Sequence, residues 1–592
     1  MKPNNQQDAF RLLLGYVYRD RPLLIKAMLL LLLATAADVA GPYLAKVFID
    51  DYLMHARFEW QALLGLLLGY LFTQVAAAIL RYQQTLKFSE MALAAVLDIR
   101  KQVFARVLRL PQSYFDTAVT GQLVSRITND TEAIKDLYVQ FLSSVLANAI
   151  LLLGILIAMA LLDLRLMLIS LTLIPAVVGI ILIYQRKSGP AVEQARQLRS
   201  DINANLGESV AGMSVIQAAN QQARFRQRFA QTNEGYYAAK MSTIRVGAAL
   251  LRPAIDFLSV LILVAILWGF GSQAVSGVAE VGILYAFVSY LGRFTEPLIE
   301  ITQKFNLYQQ AMVAGGRVYQ LLHRQEVDYG HYQQPISRGE ISIEQLSFSY
   351  DGQHPVLREL NIQVRAGEWL AIVGHTGSGK STLLSLLLGF YHPTAGQIRL
   401  DGVALQDYQQ TTLRTGIGLI PQEPFVLADT LFANIDMGRG LSQQQVEQAA
   451  KDAHLHDTIM QMADGYQSVL GERGTRLSTG QRQQLAIARA LASHPQILLL
   501  DEATANIDSE TEQVVQRALT ALRGKVTLVV VAHRLSTIKE ADRILVLHQG
   551  EVVEEGSHQQ LMALEDGRYQ RMYLLQMQAQ ALHQLEVAKD MD

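Results

Sequence analysis

Gly374-His375-Thr376-Gly377-Ser378-Gly379-Lys380-Ser381 decides how this chain reads. The octet fits the spacing G-x-x-x-x-G-K-S. It stands between an apolar run, 369–373, that reads as a buried strand, and a stretch, 381–390, that reads as a helix. Each residue type has a physical task. Glycines let backbone N–H groups turn inward onto phosphate oxygens without a side-chain clash, and the helix start adds a favourable dipole. Lys380 brings a positive charge to the outer phosphates, Ser381 offers a hydroxyl oxygen to magnesium, and Thr382 continues the same turn. Chance alone produces this spacing in roughly 2% of chains this long, and the flanking strand and helix lower that further. ATP or GTP is therefore the expected ligand.

Working outward, the apolar run 497–500 ends in Asp501 and Glu502. Taken alone this is an ordinary strand end entering an acidic loop. With a phosphate-binding loop upstream, Asp501 is placed to hold magnesium through water, and Glu502 to orient or deprotonate the attacking water. The run 527–532 ends the same way at His533, a candidate for γ-phosphate contact. Residues 340–350 alternate apolar and polar, as a half-buried strand does. Strands alternating with helical stretches predict an α/β domain with a mainly parallel core sheet over 340–575. A polar linker, 331–339, precedes it, and 576–592 form a tail.

The first half differs in character. Hydrophobic residues make up 50% of the 592 and charged residues 18%, with a mean hydropathy of +0.17; so apolar an average points to membrane segments in part of the chain. Six runs in the domain 1–330 are near the ~20 residues needed to span a bilayer core: 23–48, 63–80, 141–162, 166–184, 246–270 and 281–298. The long connections 81–140 and 185–245 are rich in Lys and Arg, which places them, both termini and the second domain in the cytoplasm. Few glycines or prolines interrupt them, so the membrane helices are expected to continue as helices beyond the bilayer. Residues 8–18 read as an amphipathic helix on the membrane surface. Met1–Asp20 lacks the pattern of a removable signal peptide. The chain has no cysteine, which excludes disulfides and thiolate chemistry, and its formal net charge of −2 argues against a nucleic-acid partner.

Charges inside membrane runs are costly and tend to face a cavity or a partner charge. Asp38, Asp256 and Glu296 are thus candidates for the wall of a cavity taking cationic or amphipathic substrates. A structural alternative is that Arg252, one helical turn from Asp256, pairs with it. Glu300 is a further candidate, with a place just outside the bilayer as its alternative.

Leu477-Ser478-Thr479-Gly480-Gln481 lies between the phosphate loop and the Asp501-Glu502 strand and resembles the LSGGQ signature of ABC ATPases. With that motif order and the six-helix half before it, nearly the whole chain resembles the ABC exporter half-transporters. Within them it looks most like the MdlB/SmdB-type B subunit of heterodimeric multidrug-like exporters, on Gly212-Met213-Ser214-Val215-Ile216-Gln217 and on Tyr285-Ala286-Phe287-Val288-Ser289-Tyr290-Leu291-Gly292-Arg293. The resemblance implies an α-helical six-helix transmembrane domain with long cytoplasmic extensions, followed by an α/β P-loop ATPase domain. It implies that Tyr350 stacks on adenine and that Gln422 senses magnesium and the γ-phosphate. Leu477, Ser478, Thr479, Gly480 and Gln481 then face ATP bound on the partner subunit, Asp508 belongs to the D-loop, and 471–474 to the exporter X-loop. Residues 112–121 and 208–218 are candidate coupling turns.

Thr479 departs from the usual glycine, while Glu502 and His533 match the catalytic pattern. That combination is expected of one member of an asymmetric dimer, with a homodimer tolerating the substitution as the alternative. The expected protein is an ATP- and Mg2+-dependent exporter subunit in the cytoplasmic membrane. It would pair with a second half-transporter and move small hydrophobic or amphipathic compounds. An ATP-gated channel or regulator, and an importer on the same fold, are the alternatives.

Overall fold

The computed structural model describes residues 3–56, 58–275, 280–471, 474–501, 509–532 and 538–578. It divides into two units, Met1–Arg109 with Ala118–Gln325, and Leu110–Thr117 with Glu326–Asp592.

The first unit is helical. It contains α1 (Pro3–Arg19), α2 (Arg21–Val47, continued by a π turn Phe48–Leu53) and α3 (Trp60–Val107). The short α4 (Gln112–Thr117) groups with the second unit. Then come α5 (Thr120–Ile127), α6 (Asn129–Asp136), a π turn Leu137–Leu142, α7 (Ser143–Leu162), α8 (Leu164–Leu171), α9 (Leu173–Ala211), α10 (Met213–Ala218), α11 (Gln222–Leu250), α12 (Arg252–Val275) and α13 (Val281–Leu322). Among the described residues, five helical segments are long and apolar enough to cross a membrane: Arg21–Leu53, Trp60–Val107, Thr120–Leu162, Leu164–Ala211 and Gln222–Gly271. At ~1.5 Å per residue, the 48 residues of α3 run roughly 72 Å, more than twice a ~30 Å hydrocarbon core. Helices therefore continue far past the apolar runs, as the low glycine and proline content of those connections predicts.

Three features add detail to those expectations. The sixth apolar run, 281–298, is helical within α13 but does not reach the apolarity of the other five. Its Ala286, Phe287, Tyr290, Leu291 and Phe294 are buried in the helix bundle, packed with Leu152, Ile155 and Met159 of α7. A helix shielded by its neighbours can carry Arg293 and Glu296 where a lipid-facing one cannot. The run 246–270 is interrupted at Leu251, between α11 and α12, because Pro253 has no N–H to donate one turn back. The apolar residues of the amphipathic α1 pack in part against protein, while Phe10 and Tyr18 stay exposed. Ala9, Leu13 and Val17 are almost fully buried, and the Tyr138 hydroxyl donates to the Leu13 carbonyl at 2.8 Å.

The second unit carries two sheets. Strands β1 (Ile341–Phe348), β2 (Leu357–Val364), β4 (Ala395–Leu400) and β5 (Val403–Ala404) form an antiparallel sheet in the order β2-β1-β4-β5. Strands β3 (Trp369–Val373), β6 (Ile417–Ile420), β7 (Ile497–Asp501), β8 (Thr527–Val531), β9 (Arg543–His548) and β10 (Glu551–Gly556) form the second, in the order β10-β9-β3-β8-β7-β6. Every pairing there is parallel except β9 with β10. All five residues of β3 are buried. Trp369, Ala371 and Val373 face one apolar core and Leu370 and Ile372 the other, as in a sheet covered on both faces. The linker is fastened by Asp401, whose carboxylate accepts from the backbone N–H groups of Ser337, Arg338 and Glu340 at 2.8–2.9 Å. Burial alone would raise this carboxyl; those three donors and the Arg338 charge hold it below its ordinary value.

Candidate functional site

In a parallel sheet, loops leaving the C-terminal strand ends gather at one edge, and ligands bind there. The phosphate-loop octet leaves β3 at that edge and runs into α14 (Lys380–Leu387). Gly374 needs to be glycine, since a Cβ there would lie 2.3 Å from the Leu547 carbonyl oxygen and 2.6 Å from the Ser378 hydroxyl. Gly379 precedes the helix at φ +101°, where a side chain would also meet Leu357. Lys380 is buried, and its ammonium donates to the loop carbonyls of Gly374 and His375 at 2.9 and 3.2 Å. These bonds fold the lysine over the loop that its own backbone forms.

Neighbouring strands bring the other predicted groups to the same edge. The register pairs Leu500 with Ile420 and Asp501 with Val531. Ser381 donates its hydroxyl to Asp501 Oδ1 at 3.3 Å, closing the gap between α14 and β7. A hydroxyl and a carboxylate so close are hard oxygen donors of the kind Mg2+ takes together with phosphate oxygens. No cluster of three or more His, Cys, Asp or Glu able to hold a metal occurs among the described residues. Glu502, Asp508 and His533 lie outside the described residues.

Tyr350 follows β1 and is 55% exposed. Its hydroxyl shares a 3.1 Å hydrogen bond with Thr382, and its ring meets Phe348 and Tyr391 edge-on at 4.8 and 5.2 Å. The turn behind it is fixed by Asp351, which accepts from the backbone of Gln353 and His354 at 2.8 Å and faces His354 Nδ1 at 2.6 Å. The His354 ring and these backbone donors hold the Asp351 carboxyl far below its ordinary value, and Asp351 in turn raises His354. Sequence reasoning missed this turn; Ser349-Tyr350-Asp351-Gly352 carries the aspartate-glycine signal for it. Tyr391 also donates to the Asp116 carboxylate of α4, and burial followed by that carboxylate pushes its phenol up. Tyr114 of α4 is buried and meets Phe115 edge-on at 5.9 Å, within the first of the two candidate turns. Met213–Ala218 in the second is helical as well.

Ser478 caps the helix Thr479–Leu491. Its hydroxyl accepts from Gln481 N at 3.2 Å, and the Gln481 side chain accepts from Ser478 N at 2.9 Å. This reciprocal cap explains the serine and glutamine of the motif from local structure alone. Thr479 is exposed in the first turn, where its hydroxyl accepts from Arg482 at 3.1 Å. Nothing within the chain therefore demands glycine at 479. Leu477 and Gly480 are buried. Gln483, on the same buried face, donates to the Gln422 carbonyl at 3.0 Å and joins the signature helix to the segment after β6. It too went unread; a glutamine three residues from Gly480, on the face that Ile487 continues, was the available signal.

The membrane candidates separate into two places. Asp38 pairs with Arg81 at a cavity of about 450 Å3 that also holds Gln84, Asn148, Glu300 and Lys304. Asn148 and Ser144 donate to Glu300 at 2.7 and 3.3 Å. Asp256 and Glu296 are not in that wall. Both sit on Arg252, at 3.8 and 3.6 Å, each more than half exposed. The pairing of Arg252 with Asp256 is present, and Glu300 lies with Asp38 at the one cavity.

Residues 24–298 match the family model of the ABC transporter transmembrane region, and residues 357–505 match that of the ABC transporter ATP-binding region, described as ABC transporter. The multidrug resistance-like ATP-binding protein MdlB of Buchnera aphidicola subsp. Schizaphis graminum is 40% identical over 94% of this chain and 95% of its own length. The chain belongs to the ABC exporters. The ATP-dependent lipid A-core flippase of Syntrophus aciditrophicus is 33% identical, over 97% of this chain and 95% of that one. The solved structure of a bacterial Atm1-family ABC exporter with ATP bound superposes with a TM-score of 0.77 at 28% identity, covering 94% of this chain and 98% of the other. As an ABC exporter half-transporter, the chain couples ATP hydrolysis to transport, spans the membrane several times and acts in a dimer. Export is favoured over the channel and importer readings.

Proposed function

We propose that this chain is the catalytically competent member of a heterodimeric exporter of hydrophobic or amphipathic compounds. The observation that carries the reading is the Lys380–Ser381–Asp501 cluster at the sheet edge, in a chain whose signature motif has threonine at 479. ATP lies with its adenine on Tyr350 and its phosphates in the loop Gly374–Ser381, against Lys380 and Thr382. Ser381, Gln422 and Asp501 would hold Mg2+, which would supply neutralisation of the developing phosphate charge. Glu502 orients the attacking water, His533 contacts the γ-phosphate, and Asp508 stands at the contact with the partner. Leu477 to Gln481 face the partner's nucleotide, so Thr479 weakens the site completed by this chain's signature and leaves the site built on Glu502 intact.

Closure of two ATPase domains on ATP moves the helix bundle because ATP binds the closed state better. The ATPase domain is cytoplasmic in an inner-membrane protein, consistent with the Lys- and Arg-rich long connections. The cavity holding Asp38 and Glu300 supports a substrate with a polar or cationic end, and the relatives' names include both multidrug resistance and a lipid flippase. Inside-out vesicles carrying the chain with a second half-transporter test the direction. ATP-dependent accumulation of a cationic amphipathic dye supports export, and dye movement that proceeds equally without ATP rejects it.

A further inference from the structure

Pro42 stands inside α2, in the middle of a membrane-spanning segment. A helical proline has no N–H, so the carbonyl four residues earlier loses its hydrogen bond, and in a membrane no water replaces it. Here that carbonyl belongs to Asp38. The Arg293 guanidinium of α13 donates to it at 2.9 Å. One turn away on α13, the buried Tyr290 donates its hydroxyl to the next carbonyl, that of Val39, at 2.7 Å. The Asp38 side chain at the same turn pairs with Arg81 of α3. Three helices thus meet on one broken turn. Pro190 and Pro297 also lie inside long helices. Among the described residues, Pro42 is the one whose freed carbonyl receives a side-chain donor.

We propose that Arg293 and Tyr290 are positioning residues for transport. Arg293 replaces the hydrogen bond that Pro42 removes, Tyr290 braces the neighbouring Val39 carbonyl, and together they hold the Asp38 turn, with its carboxylate against Arg81, in the wall of the 450 Å3 cavity. They act through α2 and touch neither nucleotide nor a catalytic group. The turn is therefore a hinge whose position α13 sets, and ATP-driven movement of α13 is transmitted to it. This holds whatever compound the cavity takes.

The chain has no cysteine, so spin labels can be placed on cysteines replacing Leu29 and Met54, both exposed and on either side of Pro42. Distances are read in the full chain in lipid nanodiscs, with and without MgATP and vanadate. The parent is expected to give one distance population that shifts with MgATP and vanadate. Arg293→Ala broadens the population and weakens the ATP-driven shift about fivefold or more, the lower end of typical coupling between distant sites. Arg293→Lys, which keeps a donor, stays near the parent. Pro42→Ala restores the backbone N–H, so the pair Pro42→Ala with Arg293→Ala regains a single narrow population. That rescue separates positioning from general misfolding. A parent distribution that nucleotide does not move, an Arg293→Ala distribution like the parent's, or a double variant as broad as Arg293→Ala would each overturn the proposal.

Discussion

Replacing Ser478 separates two roles that the signature motif combines. Within the chain, Ser478 is the N-cap of the helix Thr479–Leu491, bonded reciprocally with Gln481. Losing such a cap costs about 1 kcal/mol, which is about a fivefold increase in the opening of the first helical turn. Hydrogen exchange read on peptides covering 478–485 should therefore speed up about fivefold in Ser478→Ala. The core β3 strand, which shares no hydrogen bond with the cap, should be unchanged. Asparagine caps as well as serine, so Ser478→Asn should return exchange to the parent level. If Ser478 also touches the partner's nucleotide, MgATP hydrolysis by the assembled dimer stays low in Ser478→Asn although the helix is restored. Unchanged exchange in Ser478→Ala would refute the cap. Full hydrolysis in Ser478→Asn would show that the serine acts through the helix alone.

Gly374→Ala drives a Cβ to 2.3 Å from a backbone oxygen that cannot give way. Overpacking of this kind costs about 1–3 kcal/mol, and binding of a fluorescent ATP analogue should weaken roughly tenfold or more, with circular dichroism unchanged. Gln483→Ala removes the bond to the Gln422 carbonyl; a neutral bond of this sort contributes about 1 kcal/mol, and the loss should appear as faster hydrogen exchange at 421–425 while ATP binding persists. The Asp401 carboxyl is lowered in the folded chain, so its stabilisation is present above the ordinary carboxylate pKa and is lost as pH falls through the folded value. Thermal unfolding across that acidic range should show a steeper loss in the parent than in Asp401→Asn, which presents an amide N–H to a backbone donor and is less stable at neutral pH. Equal slopes would contradict the linker clamp.

What could be read from the sequence follows from how local each signal is. The phosphate loop was legible because strand, glycines, lysine and helix are contiguous in 369–387. The strand end at Asp501 was legible for the same reason. The order of strands was not, since β3 lies between β8 and β9, which come more than 150 residues later, and periodicity carries no record of such pairings. The antiparallel sheet was visible only through β1. In the membrane half, apolar runs located the helices but not which side faces protein. Hence neither the burial of Leu13 in α1 nor the pairing of Glu296 with Arg252 could be read from them. Asp38 stood out by its cost in a membrane; Arg81, which answers the charge, and Arg293, which takes its backbone carbonyl, lie on other helices.

The most direct measurement is MgATP hydrolysis by the full chain in lipid, alone and mixed with a second half-transporter, beside its Glu502→Gln variant. The account predicts little turnover alone, robust turnover in the mixture, and its loss in Glu502→Gln. Robust turnover by the chain alone would contradict the asymmetric pairing, and turnover that survives Glu502→Gln would contradict the catalytic site itself.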